Sequence, residues 1–129
     1  MSVFTLIGLF LLLSCSKDDN TAPLLGKWRV TESSYGGTNY TLSECDLLTT
    51  IEFFENGELI RTNMEGDFPC ESVPVPMHYK KHWNEITISY NSIAFKVRIL
   101  TLNETTLKYE RVNTDGNSGT STWTYTRME

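Results

Sequence analysis

The sequence is poor in the signals that mark catalysis. Histidine occurs only twice among 129 residues, at His78 and His82. Ser33, Ser34 and Ser43 have no histidine nearby in the chain, and there is neither a Gly-x-Ser-x-Gly elbow nor a glycine-rich phosphate loop. Asp46, Glu52, Glu55, Glu58, Glu65 and Asp67 are scattered, as on a solvated face. An enzyme is therefore not expected, and no cofactor is implied. Basic residues are also in short supply: 11 Lys and Arg stand against 16 Asp and Glu, a net charge of −5. Lys80-Lys81 is an isolated pair, which excludes nucleic acid as a partner. Missing too is any dozen-residue window with the i, i+3, i+4, i+7 spacing of an amphipathic helix. Cysteine is scarce, with three residues and no Cys-x-x-Cys pair, which argues against a thiolate metal site.

The N-terminus lacks charge altogether. Residues 1–14 carry none, no Lys or Arg precedes Lys17, and Leu6, Ile7, Leu9, Phe10, Leu11, Leu12 and Leu13 form a dense apolar run. Spanning a bilayer takes about 20 apolar residues, so a run this short fits the core of an export signal. It ends in Leu12-Leu13-Ser14-Cys15, which resembles the bacterial lipobox, where a small residue precedes a cysteine that is acylated and becomes the new N-terminus. The resemblance implies a signal peptide over 1–14, lipidation of Cys15 and attachment to a membrane. Several acyl chains on one cysteine anchor stably, because each buried CH₂ contributes about 0.8 kcal/mol. Ser16-Lys17-Asp18-Asp19-Asn20 is similar to the tag that routes lipoproteins of Bacteroidota-type bacteria to the outer face of the outer membrane. A cell-surface location is expected, with the periplasmic face as the alternative.

A lipidated tether over 15–23 leaves 24–129, the size of one domain, and a monomer is expected. With Cys15 lipidated, Cys45 and Cys70 remain. In an oxidising compartment two such cysteines are expected to join. Closing that loop contributes roughly 3 kcal/mol by chain entropy.

Past the tether, short runs of Thr, Val, Ile, Tyr, Phe and Trp alternate with turn residues, the signal of strands. The runs predict strands over about 27–34, 47–54, 58–63, 77–83, 86–90, 93–101, 107–112 and 120–127. Glu55-Asn56-Gly57 is a strong turn, and 115–119 reads as a flexible hairpin tip. Residues 64–76, with Pro69, Pro74 and Pro76, read as irregular because proline cannot donate in a ladder. Along 93–101, Ile93, Phe95, Val97 and Ile99 share one face while Lys96 and Arg98 share the other. Eight strands joined mostly by tight turns make an all-β antiparallel meander, which can remove its edges by closing into a barrel. An open two-sheet sandwich is the competing architecture.

Leu25-Gly26-Lys27-Trp28, opening the first strand, is similar to the Gly-x-Trp of lipocalins, and Arg127 stands where their late basic residue covers the Trp face. With Cys45, the Phe53-Phe54-Glu55-Asn56-Gly57 hairpin, Cys70 and the closing Tyr125-Thr126-Arg127, the layout resembles the small lipocalin-like domains of Bacteroidota-type lipoproteins. What this implies is an eight-stranded barrel, its end marked by Gly26, Trp28 and Arg127, that holds a small apolar or amphipathic ligand. An eight-stranded barrel is only just wide enough for one such ligand or for its own side chains. Phe53, Phe95, Val97, Trp123 and Tyr125 are the candidate ligand-binding residues.

Two other readings compete. A filled barrel would act instead as a surface module for a protein or glycan, through exposed aromatics such as Phe68, Tyr79 and Trp83. His78 and His82, four apart on a strand, share a face and make a weak candidate metal pair with Glu71 or Glu85. Surface histidines on strands are more often bland, and no metal is expected.

Overall fold

The computed structural model describes residues 23–112 and 120–128. The signal, Cys15, the tether up to residue 22 and the hairpin tip at 115–119 lie outside the described residues. Nine strands follow in chain order: β1 (Gly26–Tyr35), β2 (Thr38–Asn39), β3 (Thr50–Phe53), β4 (Glu58–Glu65), β5 (Glu71–His82), β6 (Glu85–Tyr90), β7 (Ile93–Leu102), β8 (Thr106–Arg111) and β9 (Ser121–Arg127). From β3 to β9 each strand lies antiparallel beside the next. β1 pairs with β3 on one side and, from Trp28↔Arg127 to Tyr35↔Ser121, with β9 on the other. Eight strands thus close into a barrel, and β2 is a two-residue extra that folds back on the end of β1. Closure overturns the open sandwich: the β1–β9 ladder satisfies backbone groups that a sandwich leaves at its edges.

Period-2 alternation decides what faces inward. In β7, Val97 is buried and Phe95 and Ile99 are half-buried, whereas Ala94, Lys96 and Arg98 are exposed. Two bulges reset the phase. One, between Val30 and Glu32, lets Ser33 rather than Glu32 follow Val30 around the mouth cavity described below; the other, between Ile99 and Thr101, lets Leu102 rather than Thr101 follow Ile99 onto the core.

Two expectations from the sequence are corrected. Leu47 and Leu48 do not begin a strand; with Asp46 they form a short 3₁₀ turn and stay exposed. A reciprocal pair of bonds holds its start, Ser43 N–H to Asp46 Oδ2 at 3.1 Å and Asp46 N–H to Ser43 Oγ at 3.0 Å. Second, the irregular stretch is much shorter than 64–76, because β5 already begins at Glu71 and contains Pro74 and Pro76. Tyr79 N–H donates to the Gly57 carbonyl across from β5, so odd positions of β5 direct their backbone toward β4 and even positions the opposite way. β6 pairs with β5 only from His78 onward. Pro74 and Pro76 therefore turn their missing N–H toward a side with no neighbouring strand, where nothing is lost.

The two ends of the barrel differ. At the end where the described chain begins, Leu24, Trp28, Phe53, Leu59, Ile86, Val97 and Leu107 are at most 2% exposed and form a packed floor. Tyr79 joins it, its ring edge-on to Phe53 at 5.0 Å and its hydroxyl donating to the Phe54 carbonyl at 2.7 Å. At the other end, Cys45 and Cys70 form a disulfide with a Cα–Cα distance of 5.7 Å. It ties the loop before β3 to the loop between β4 and β5.

Candidate functional site

The closed end is built around Trp28. Its indole N–H donates to the Leu24 carbonyl at 2.9 Å, and the Arg127 guanidinium lies over its ring at 4.2 Å from the centroid. Arg127 also donates through Nη1 to the Leu25 carbonyl at 2.7 Å, through Nε to the Glu104 carbonyl at 2.8 Å, and through Nη2 to the Pro23 carbonyl. One planar cation therefore stitches β9, the chain leading into β1 and the β7–β8 turn onto the face of one tryptophan. Gly26 is required here: its φ is +118°, and an added Cβ would meet Arg127 Nη1 at 2.8 Å. Gly26, Trp28 and Arg127 thus make the floor and are far from any opening.

Two cavities at the open half of the barrel share part of their lining. A mouth cavity of about 400 Å³ is walled by Val30 and Ser33 of β1, Tyr40, Thr41 and Leu42 of the loop, Asp46, Thr49, and Trp123 and Tyr125 of β9. Beside it lies a smaller cavity of about 120 Å³, bounded by Ile51, Leu59, Met77, Ile88, Phe95 and Tyr109, with the exposed Arg111 at its rim. Arg61 and Trp123 line both. Of the five candidate ligand-binding residues, Phe95, Trp123 and Tyr125 sit on these walls. Phe53 and Val97 are buried and are not among the residues walling these two cavities.

Arg61, Arg111 and Tyr109 escaped the sequence reading, which considered only apolar faces; Tyr109 is buried, Arg61 half-buried and Arg111 exposed. Arg61 lies on the same side of β4 as the buried Leu59 and pairs with Ile51 of β3. Its Nε donates to Asn63 Oδ1 at 2.9 Å. Arg111 follows Tyr109 by two in β8 and places its guanidinium 4.9 Å from the centre of the Phe95 ring. Tyr109 and Tyr125 hydrogen-bond hydroxyl to hydroxyl at 2.9 Å, both fully enclosed. Alternation from Leu59 and from Leu107 was the available signal, since period 2 carries Arg61 and Arg111 inward.

Burial pushes the Tyr109 phenol well above its ordinary value, with further upward pushes from the charge and hydrogen bond of Tyr125, while Arg61 pulls it back. Tyr125 is also raised by burial, partly offset by Arg61 and by the Tyr109 hydrogen bond. Raised phenols hold their protons in the folded state when the unfolded chain, titrating near pH 10, has begun to lose them. Their stabilisation is complete below about pH 10 and is lost as pH climbs toward the folded values. The urea midpoint should therefore fall steeply above about pH 10, and Tyr109→Phe combined with Tyr125→Phe should flatten that limb. An unchanged slope in the double variant would disprove the assignment.

The other candidates are dispersed. His78 and His82 lie exposed on the outer face of β5, and among the described residues no three His, Cys, Asp or Glu side chains come together. Trp83, 72% exposed at the β5–β6 turn, stands at the closed end beside His82, with ring centres 6.2 Å apart. Phe68 is 67% exposed in the β4–β5 loop at the open end, and Tyr79 is buried. No single aromatic patch unites them.

A closed antiparallel barrel, plugged at one end by a Trp under an Arg and hollow at the other, defines a lipocalin-type calyx. The family model of the lipocalin-like domain matches residues 24–109, and the chain belongs to that family. Solved structures agree. A lipocalin-like protein from Bacteroides uniformis superposes with a TM-score of 0.63 at 13% identity, covering 82% of this chain and 99% of its own. An uncharacterized protein from Bacteroides eggerthii gives 0.59 at 13% identity, covering 81% and 98%. At such identities the likeness speaks for the fold alone. The sequence has no match among curated proteins.

Proposed function

We propose that this protein is a lipid-anchored outer-membrane lipoprotein that binds one small apolar or amphipathic molecule, as a monomer and without catalysis. The observation that carries the binding is the mouth cavity of about 400 Å³, which shares Arg61 and Trp123 with a neighbouring smaller cavity. It falls within the range of about 300–1,000 Å³ usual for ligand sites. Its walls combine apolar surface with a few convergent polar groups, the usual make-up of such a site. The anchor rests on the apolar run of residues 6–13 ending in Ser14-Cys15 and on the Lys17-Asp18-Asp19 tag, which supports export to the cell surface.

One measurement addresses both parts. Protein extracted from its own host's membranes should appear in native mass spectra as a single chain starting at an acylated Cys15 and carrying one additional small molecule. Repeated absence of a co-purifying molecule would favour the surface-module reading, and an unacylated N-terminus would overturn the anchor.

A further inference from the structure

We propose that the plugged end of the barrel docks on the lipid bilayer, with the Trp83 indole at head-group level. This rests on the lipid-anchor reading above and adds an orientation to it. Trp83 is the first of the two residues that turn β5 into β6, a loop closed by the His82↔Glu85 pair. Its φ is +57°, a left-handed conformation that bulky residues rarely adopt and that two-residue hairpin loops give to Gly, Asn or Asp. Packing does not offset that cost. The indole is 72% exposed, and its aromatic neighbour His82, with ring centres 6.2 Å apart, is itself exposed. Strain that the fold itself does not use points to a contact made outside the chain.

The surroundings of Trp83 fit a bilayer surface. Lys80 and Lys81 precede it in the chain, and Lys81 Nζ donates to the Trp83 carbonyl at 2.7 Å. Across the turn, Ile99 N–H donates to the Asn84 carbonyl at 2.6 Å, which brings Leu100, 48% exposed, alongside. An indole with an apolar neighbour and flanking lysines is the combination that membrane interfaces favour. The ring sits among the head groups while the ammonium groups reach for phosphate. Glu85, just past the turn, is paired with Arg98 at 3.9 Å. The opposite end of the barrel has no such chemistry: exposed Phe68 stands among Glu65, Asp67 and Glu71, and no Lys or Arg lies between Arg61 and Lys80.

The position also suits the anchor. The Pro23 carbonyl accepts from Arg127 Nη2, which fixes the first described residue at the plugged end. Cys15 precedes it by eight positions, and eight residues span at most about 29 Å whatever their path. The plugged end is thus the part of the barrel that acyl chains on Cys15 hold within reach of the bilayer.

Protein purified from its host's membranes, with the acyl chains on Cys15 verified by mass, is reconstituted into phosphatidylcholine vesicles with and without bromine near the head-group end of the acyl chains. Bromine quenches only indoles that touch the lipid. Trp28 is sealed in the floor and Trp123 is half-buried, so Trp83 should dominate the response. Tryptophan emission is expected to fall in the brominated vesicles, and Trp83→Gly should abolish that fall. The same substitution should raise the Tm by about 4 °C, because one left-handed bulky residue is relieved. A reporter at the opposite end, Phe68→Trp in the Trp83→Gly background, should not be quenched. No quenching of the parent protein, or quenching as strong for Phe68→Trp as for Trp83, overturns the docking and leaves the anchor standing. A lower Tm for Trp83→Gly also overturns it, because the fold would then be using the indole. A Cys15 without acyl chains overturns the anchor and the docking together.

Discussion

Trp28→Ala should destabilise the domain more than any other single truncation in the barrel. Emptying a fully buried Trp site costs about 3–5 kcal/mol, and losing the Arg127 cation–π contact adds roughly 0.5–2 kcal/mol. For a domain of this size that corresponds to a fall in Tm on the order of 20 °C. The damage spreads because Arg127 would lose the surface it rests on while still holding three backbone carbonyls. Thermal unfolding followed by circular dichroism measures the loss, with Trp28→Phe as an intermediate case that keeps most of the volume and none of the indole N–H bond to Leu24. A Tm within a few degrees of the parent protein would mean that the floor holds without its plug.

The second large effect is expected from the disulfide. Cys45 and Cys70 are 25 residues apart, and closing a loop of that length removes roughly 3 kcal/mol of chain entropy from the unfolded state. Replacing both with Ser should lower Tm by roughly 10–20 °C, and adding reductant to the parent protein should reproduce the fall. The bond also has a local role. Cys45 is 4% exposed and adjoins the turn that carries Asp46, so the crosslink holds one rim of the mouth cavity against the β4–β5 loop. Ligand affinity should therefore drop along with stability. A change below about 1 kcal/mol by calorimetry would show that the rim is held by its other contacts.

Much of this architecture was legible one residue at a time. Alternation along 93–101 identified Phe95, Val97 and Ile99 as the inward face of β7, although Ile93 at its start is exposed; Asn56-Gly57 marked the hairpin, and counting cysteines paired Cys45 with Cys70. The likeness of Gly26-x-Trp28 to the lipocalin opening marked the floor, and the structure supplies the reason: few residues other than Gly accept a φ of +118° beside an arginine. What failed did so for tertiary reasons. Pro74 and Pro76 argued against a strand, yet β5 tolerates them because β6 starts too late to need their N–H groups. Leu47 and Leu48 read as strand because they are apolar, but the Ser43–Asp46 exchange of hydrogen bonds captures the backbone first.

The sequence by itself therefore determined most of the strands, their two faces and the crosslink, while the residues of the plug came from the likeness to lipocalins. These follow from local rules: period-2 alternation, turn chemistry, and the matching of two cysteines. Depth along the barrel axis was decided only by the tertiary structure. Phe53, Val97, Phe95 and Trp123 are equivalent inward positions in the sequence, but the register between strands far apart in the chain sends the first two into the floor and the others to the cavity walls. The same register brings Arg61 of β4 and Arg111 of β8, 50 positions apart in the chain, to one cavity. No local pattern encodes that meeting, because it depends on how the β1–β9 ladder closes the sheet.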